Sequence, residues 1–415
     1  MHIFLFIFYA VVLGWVLTKR PFFREIKPAV LIAFFALRVA IGCLHNYIAY
    51  KYYPHQGDIW AFFRNSFITR HELSMGFPVF WADNSSLASL PHNLIEWTHV
   101  LFNFLSFDNF YINTLFFSFL TIGGHIALFR VFYEQFGRGA LSAICMLLLP
   151  SVLFWTSCIH TEGIIYAILG WLFYTVHQCF TKGWTPGRII RGLFLTALVL
   201  FFRPALAIGL IPALALWISG EMNIRRTTFF ATAAAIILLI IGLHIYLPHV
   251  LDTIPQTLSA RQQEFQSLNG NSRIPLPDLQ PTWHSLREIL PDALFSGFFQ
   301  PLPGTGGQKI YLAFSIELMA IGLVAAIAFA IFVINGVRGH QPYPTFLYPR
   351  FFAASSLLLA FLTILLIGCI IPFVGAIIRY RSICLPFLLP PYLATLHDYQ
   401  KYRILNNRLI RFIFK

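Results

Sequence analysis

The chain of 415 residues is 58% hydrophobic and 17% aromatic, and only 11% of its residues are charged. Soluble domains carry about 25% charged residues, so this composition excludes an ordinary soluble domain. The net charge of +13 does not indicate nucleic-acid binding, because the basic residues lie in short segments between apolar runs. The six cysteines have no CxxC spacing, which argues against a zinc site or a disulfide framework.

Apolar runs of the length that crosses a hydrocarbon core, about 20 residues, recur from end to end. They lack the two-residue alternation of a barrel strand, so we predict an all-α polytopic membrane protein. Basic residues follow the first run rather than precede it, so we expect a retained span with its N-terminus outside. We predict full spans near residues 1–17, 28–49, 109–130, 140–158, 163–180, 229–247, 311–336, 351–372 and 376–396.

The apolar stretch 192–218 is interrupted by Arg203-Pro204, and proline breaks the helical hydrogen-bond ladder. It crosses the membrane once, or it forms a broken pair of short helices that enters and returns. The positive-inside rule favours the broken pair, which places most basic residues and the C-terminus inside and gives about eleven membrane elements. Broken helices persist at membrane depth only against protein or a wet cavity, so Arg203 becomes a candidate site residue.

Two large segments then face outside, near residues 50–108 and 248–310. The second is rich in Pro, Gln, Ser and Asn and is predicted to be an ordered but irregular loop. We find no internal repeat and no separate soluble domain, so residues 1–415 are predicted to form a single integral membrane domain.

Acidic and histidine side chains are predicted at the outer membrane edge. Asp58 follows the second span, and it is either a solvated helix-end carboxylate or a general base at the membrane surface. His160 and Glu162 lie in a tight outer turn at the same predicted depth. Glu162 also suits the N-terminus of the next helix, where the dipole favours a carboxylate.

Residues 91–105 form an amphipathic pattern in which His92, Glu96, His99 and Asn103 share one helical face. We predict a helix that lies on the outer leaflet. His92, Glu96 and His99 are also weak candidates for divalent-metal ligands.

Arg379 and Arg381 open the last predicted span, about 200° apart on a helix, so they cannot face the same direction. The planar guanidinium suits phosphate, and ionisable residues at membrane depth are functional candidates by default. With Arg203, these residues are the predicted cations of the outer face.

Four motifs in this order resemble the GT-C superfamily: "GD" at 57–58, "PSVLFWTSCIHTE" at 150–162, "RP" at 203–204 and "RYRSICLP" at 379–386. That superfamily consists of integral-membrane glycosyltransferases, bacterial mannosyltransferases among them, that use polyprenyl-phosphate-linked sugars. The resemblance spans nearly the whole chain. It implies a GT-C-like fold with two large outer loops and a catalytic acidic residue in the first, here Asp58.

The resemblance implies sugar transfer to a glycan, lipid or protein acceptor on the periplasmic face of a bacterial inner membrane. Combining this resemblance with the residues described above, we predict that His160, Glu162, Arg203, Arg379 and Arg381 bind substrate. Partners are the lipid-linked donor, the acceptor and membrane lipids, with no nucleic acid; no cofactor is certain, and a divalent metal remains open. The alternatives are a polysaccharide polymerase or ligase, a lipid or glycan transporter (flippase), and a non-catalytic subunit of an envelope assembly.

Overall fold

The structure is a computed structural model that describes residues 1–52, 58–86, 89–136, 147–222, 248–305, 309–337, 350–389, 392 and 400–414. Apart from two isolated bridges, all regular secondary structure in these ranges is helical. Seven of the described helices are long and apolar enough to cross a membrane. The chain is therefore all-helical, as expected of a multi-pass membrane protein.

Seventeen α-helices are described, numbered here in chain order. They are α1 (His2–Lys19), α2 (Pro28–Tyr52), α3 (Asp58–Met75), α4 (Phe77–Asn84), α5 (Leu90–Ser106), α6 (Phe110–Gln135), α7 (Pro150–Thr156), α8 (Thr161–Lys182), α9 (Pro186–Phe202), α10 (Ala207–Glu221), α11 (Pro248–Ser267), α12 (Trp283–Glu288), α13 (Leu290–Phe299), α14 (Lys309–Val337), α15 (Arg350–Ile370), α16 (Val374–Arg381) and α17 (Gln400–Ile413).

Most of the predicted spans coincide with helices of membrane-crossing length. Those near 1–17, 28–49, 109–130, 163–180, 311–336 and 351–372 are α1, α2, α6, α8, α14 and α15. The seventh candidate covers Pro204–Glu221. The predicted span 229–247 and the first part of 140–158 lie outside the described residues, and the count of eleven stays a prediction.

The predicted span 376–396 is wrong as a single helix in the described part of the chain. Helix α16 ends at Arg381, and a 3-10 turn follows at Leu385–Phe387. The physical reason is Pro386, which has no N–H for the helical ladder and whose ring clashes with the carbonyl four residues earlier.

The break in the stretch 192–218 is confirmed. Helix α9 ends at Phe202, Pro204–Leu206 forms a 3-10 turn, and α10 starts at Ala207. The residue before a proline is disfavoured in the α region, and Arg203 accordingly leaves the helix with ψ of 84°. Whether the chain returns to the same side of the membrane stays a prediction.

In both large segments that were predicted to face outside, 50–108 and 248–310, most of the described residues are helical. The first holds α3, α4 and α5. In the second, the prediction of an irregular loop is wrong for α11, α12 and α13. Some of its residues that also favour turns stand at helix N-termini: Thr282 caps α12 and accepts from the Ser285 N–H, and a proline opens α13. Pro255 instead lies inside α11.

The described chain forms two compact units, the first comprising Met1–Glu134, Arg138–Pro204 and His397–Lys415. Helix α6 is largely buried in this unit. It meets α8 backbone to backbone, because a side chain at Gly124 or Gly170 would overlap main-chain atoms of the facing helix. Lipid removes most of the hydrophobic drive for helix association, so close contact at small residues supplies the packing.

The second unit comprises Gln135–Gly137 and Ala205–Leu396, and α15 packs against α10 and α13 within it. Gly368 and Gly297 allow the close approach of α15 and α13. The buried Gln262 of α11 donates to the carbonyls of Cys369 and Pro277 at 2.9 and 3.1 Å. These bonds fasten the segment 248–310 to the helices of its own unit.

Candidate active site

Asp58 is the first residue of α3 in the described chain, and its side chain is 51% exposed. A carboxylate at this end of a helix is favoured by the helix dipole, which agrees with the structural reading of the residue. Its Oδ2 also lies 3.8 Å from Nε2 of His160, which is 102 positions away in sequence. The fold therefore joins two of the predicted site residues.

His160 and Glu162 stand at the start of α8. His160 precedes the helix in an extended conformation, and Glu162 lies in the first turn. Both side chains are buried. The extended backbone at His160 lets the imidazole turn back, so that its Nδ1 contacts Oε2 of Glu162. Glu162 therefore holds the imidazole as well as occupying the favourable end of the helix dipole.

Arg203 completes the arrangement from the break between α9 and α10. Its Nη2 donates to Oε1 of Glu162 at 2.8 Å, and its side chain is only partly exposed. Because Pro204 forces the backbone of Arg203 out of the helix, the guanidinium leaves the apolar face of α9. Asp58, His160, Glu162 and Arg203 thus form one chain of contacts inside the first unit, named here the acid–histidine chain.

The acid–histidine chain contains one close ion pair, Glu162 with Arg203, and one looser contact, Asp58 with His160. The carboxylate of Glu162 is fully buried and is compensated by Arg203. A buried charge without such a partner is strongly unfavourable. Of the remaining two residues, Asp58 is the one whose side chain is accessible from outside, because the imidazole of His160 is buried behind it. The two ring nitrogens of His160 face different carboxylates, Nδ1 that of Glu162 and Nε2 that of Asp58.

Aromatic rings enclose the imidazole on two sides. The ring centroids of Phe62 and Trp155 lie 6.1 and 6.5 Å from that of His160, both edge to face. Phe62 belongs to a buried cluster with Ile95, Phe117 and Ile159. The apolar walls restrict water around His160, whereas Asp58 stays accessible. The arrangement is that of a half-exposed carboxylate beside a buried imidazole and a buried ion pair.

The polar face of α5 packs against protein. Glu96 accepts from Asn65 at 2.9 Å and from Thr69 at 3.4 Å, and Asn103 donates to Ser66 at 3.0 Å. The apolar face is the exposed one, with Leu101 at 67%. The helix is amphipathic as predicted, and its polar stripe is turned toward α3 and α6.

The weak metal candidates share this packing role. Burial lowers the pKa of His99 to about 3, and its Nδ1 faces the amide of Asn113 at 3.2 Å. His92 is exposed beside Phe62, and Glu96 is bound by α3. Within the ranges that the structure covers, no group of three or more His, Cys, Asp or Glu side chains is arranged to hold a metal ion.

Arg379 and Arg381 belong to the second unit and face different ways, as their spacing predicts. Arg381 is buried and donates from Nη1 to the carbonyl of Gly297 at 2.6 Å. Arg379 is half-buried, with its guanidinium 5.1 Å from the ring of Tyr380. The phosphate-binding role predicted for these two residues stays a prediction.

Sequence reasoning did not single out Arg38, which lies in α2 and is fully buried. Its Nη2 donates to Oγ1 of Thr121 at 2.9 Å and to the carbonyl of Thr156 at 2.8 Å. His125 approaches Oγ1 of Thr156 at 2.9 Å. The signal available in the sequence was a lone arginine inside an apolar run, which marks an internal polar partner at membrane depth.

Comparisons of the chain with protein-family models, with curated proteins and with solved structures found no match. The resemblance to the GT-C superfamily therefore rests on the order of the four sequence motifs alone.

Proposed function

We propose that the protein is a membrane glycosyltransferase that moves a sugar from a polyprenyl-phosphate carrier to an acceptor hydroxyl at the outer membrane face. The observation that supports this most is the acid–histidine chain, in which an exposed carboxylate is backed by a buried imidazole and a buried ion pair. Asp58, Glu162 and Arg203 are defining positions of motifs that resemble the GT-C superfamily. His160 lies inside the second of these motifs, at 150–162, but is not one of its defining positions.

In the proposed reaction, Asp58 accepts the proton of the acceptor hydroxyl as that oxygen attacks the anomeric carbon. The bond between the anomeric carbon and the phosphate oxygen breaks, and its electron pair leaves with the polyprenyl phosphate. The proton ends on Asp58, from which Nε2 of His160 is 3.8 Å away. This distance exceeds a hydrogen bond, as is common in catalytic sites before substrate binds.

The other residues of the acid–histidine chain act through Asp58 and are positioning residues in this proposal. Glu162 fixes the imidazole, and Arg203 compensates the charge of Glu162. A base that is held in position beside the substrate needs little reorganisation during the reaction. Arg203 was expected to bind the donor phosphate, and its contact with Glu162 supports a structural role instead.

A proton-coupled transporter is the second candidate, and one observation favours it. Arg38 and His125 are fully buried on membrane-length helices and are linked through Thr156. Buried ionisable residues at membrane depth also mark the paths of ions and protons in transporters. In that case, lipid-linked sugar would cross the membrane without cleavage.

The experiment that separates the two uses the purified full-length chain in sealed vesicles. The vesicles contain undecaprenyl-phosphate carrying radiolabelled mannose, glucose or arabinose in separate preparations, with a bacterial membrane extract as the source of acceptor. Transferase activity releases free undecaprenyl phosphate and moves label to a new product. A transporter instead moves intact label between leaflets, which an impermeant periodate treatment detects. Intact donor with fast leaflet exchange would contradict the transferase proposal.

A further inference from the structure

A second candidate binding site lies in the first unit, among residues that the acid–histidine chain does not use. An apolar cavity of about 320 Å³ is formed by residues of α2, α6 and α17 and by the residues just before α7. Ligand pockets commonly measure about 300–1,000 Å³. All the residues that line it are apolar, among them Ala33 and Phe34 of α2 and Leu409 of α17.

Main-chain hydrogen bonds hold α17 against the start of α2. The N–H of Lys27 donates to the carbonyl of Ile413 at 2.8 Å, and Ile26 and Phe414 form an antiparallel bridge. The ring of Phe414 lies 4.7 Å from that of Tyr133 on α6. The C-terminal helix is therefore a fixed wall of the cavity.

The cavity is open to the surroundings along part of its wall. The lining side chains of Phe412, Leu148 and Leu37 are 66%, 46% and 37% exposed. Through this opening an apolar molecule reaches the cavity from its surroundings. Because the cavity is lined by two helices of membrane-crossing length, that molecule is one that resides in the membrane.

Basic residues lie beside this end of the cavity, and the one acidic neighbour of the lining residue Ile26, Glu25, is paired with Arg130 at 3.3 Å. Residues 400–414 contain four basic residues and no acidic residue. Exposed Arg408 and Arg411 adjoin the lining residues Leu409 and Phe412, and no ion pair is recorded for either arginine among the described residues. A second copy of this chain would present the same positive charge, so a symmetric contact at this surface is disfavoured.

We propose that the cavity binds one acyl chain of an anionic phospholipid whose phosphate contacts Arg408 and Arg411. The apolar interior takes the hydrocarbon chain, and arginine forks suit phosphate oxygens. Basic pockets between membrane helices bind anionic head groups in this way, whereas a neutral zwitterionic lipid gains less from the arginines. The site is separate from the acid–histidine chain, and the inference holds whether or not the protein is a transferase.

The test is native mass spectrometry of the full-length protein after equilibration with equimolar phosphatidylglycerol and phosphatidylcholine in detergent. We expect the wild type to retain one phosphatidylglycerol at least about fivefold over phosphatidylcholine. Ala33→Phe fills the cavity and should reduce retention to the detergent background. Ala36→Phe is the matched control, because Ala36 is an exposed alanine of the same helix that does not line the cavity.

A double variant, Arg408→Gln with Arg411→Gln, tests the charge without touching the core. It should abolish the preference for phosphatidylglycerol, while Lys182→Gln, an exposed lysine at the end of α8, should not. Equal retention of the two lipids by the wild type, or retention unchanged by Ala33→Phe, would overturn the proposal. A wild-type dimer that Ala33→Phe dissociates would assign the cavity to a second copy, and would overturn it too.

Discussion

Arg203 and Glu162 are joined by a 2.8 Å hydrogen bond between Nη2 and Oε1, across 41 positions of sequence. Arg203 terminates α9 at the break in the stretch 192–218, and Glu162 starts α8. Helices α8 and α9 pack together along their length. The break therefore places a guanidinium beside the carboxylate that holds His160, and it links the fold to the proposed chemistry.

From this ion pair we predict that the stability losses caused by substituting its two residues are not additive. Glu162→Gln or Arg203→Gln alone leaves a buried or half-buried charge without its partner and should destabilise the protein by about 3–5 kcal/mol. The double variant should recover about 1–3 kcal/mol of the sum. Unfolding by SDS titration in mixed micelles measures all four proteins. Strictly additive losses would show that the contact carries no coupling energy.

Replacing His160 is predicted to change turnover rather than substrate binding. In His160→Gln, the amide keeps some hydrogen bonding but cannot exchange a proton with Asp58. With the labelled donor that the wild type uses, kcat should fall about 10²-fold or more while KM changes little. His71→Gln, an exposed histidine on α3, is the control and should match the wild type. A rise in KM at constant kcat would instead assign His160 to substrate binding.

The close contact of α6 and α8 predicts that adding a side chain at their crossing destabilises the protein. Gly170→Ala places a methyl group against the carbonyl of Gly124 and should cost about 1–3 kcal/mol by forcing the helices apart. Gly14→Ala is the matched control, since nothing lies within 4 Å of the added carbon. The apparent Tm in detergent reports both. Equal melting temperatures would mean that the two helices are not in backbone contact.

His99 predicts a pH dependence of stability. Burial lowers the pKa of its ring to about 3 in the folded protein, from 6.5 without burial. Between these values the unfolded chain binds a proton that the folded chain does not, so stability falls as the pH drops below 6.5. The loss should approach about 1.4 kcal/mol per pH unit. The free energy of unfolding of His99→Gln, measured relative to its own value at pH 8, should fall less between pH 6.5 and 5 than that of the wild type. An equal fall in both proteins would contradict the burial of a neutral ring.

The sequence predicted the helical class and most spans because membrane-length apolar runs are local signals. It also predicted the amphipathic helix α5 and the break at Arg203, which follow from helical spacing and proline geometry. The direction of the polar face of α5 was missed because its partners are distant in sequence. Asn65, Ser66 and Thr69 on α3 form a complementary polar set, and nothing local shows that the two sets pair.

The candidate site was predicted as separate residues, without their contacts. Glu162 was expected to stabilise a helix end or to bind substrate, and the structure adds its contacts with His160 and Arg203. Arg203 was expected to face a phosphate, because the sequence does not show which helix packs on the break. The proximity of Asp58 to His160 depends on the packing of α3 against the start of α8, which no local pattern encodes.

The most direct test of the central claim is Asp58→Asn, which removes the proposed base with little change in shape. It is expressed in a strain deleted for this gene, and surface glycan is scored with membrane protein levels measured in parallel. Asp108→Asn is the control, because Asp108 is a similarly exposed acid of the same segment 50–108, paired with Arg70 at 2.7 Å. For Asp58→Asn, the account predicts a normal membrane level of the protein and loss of the surface glycan. For Asp108→Asn, it predicts that the glycan is retained. Full glycan with Asp58→Asn would remove this carboxylate from the chemistry and contradict the proposed function.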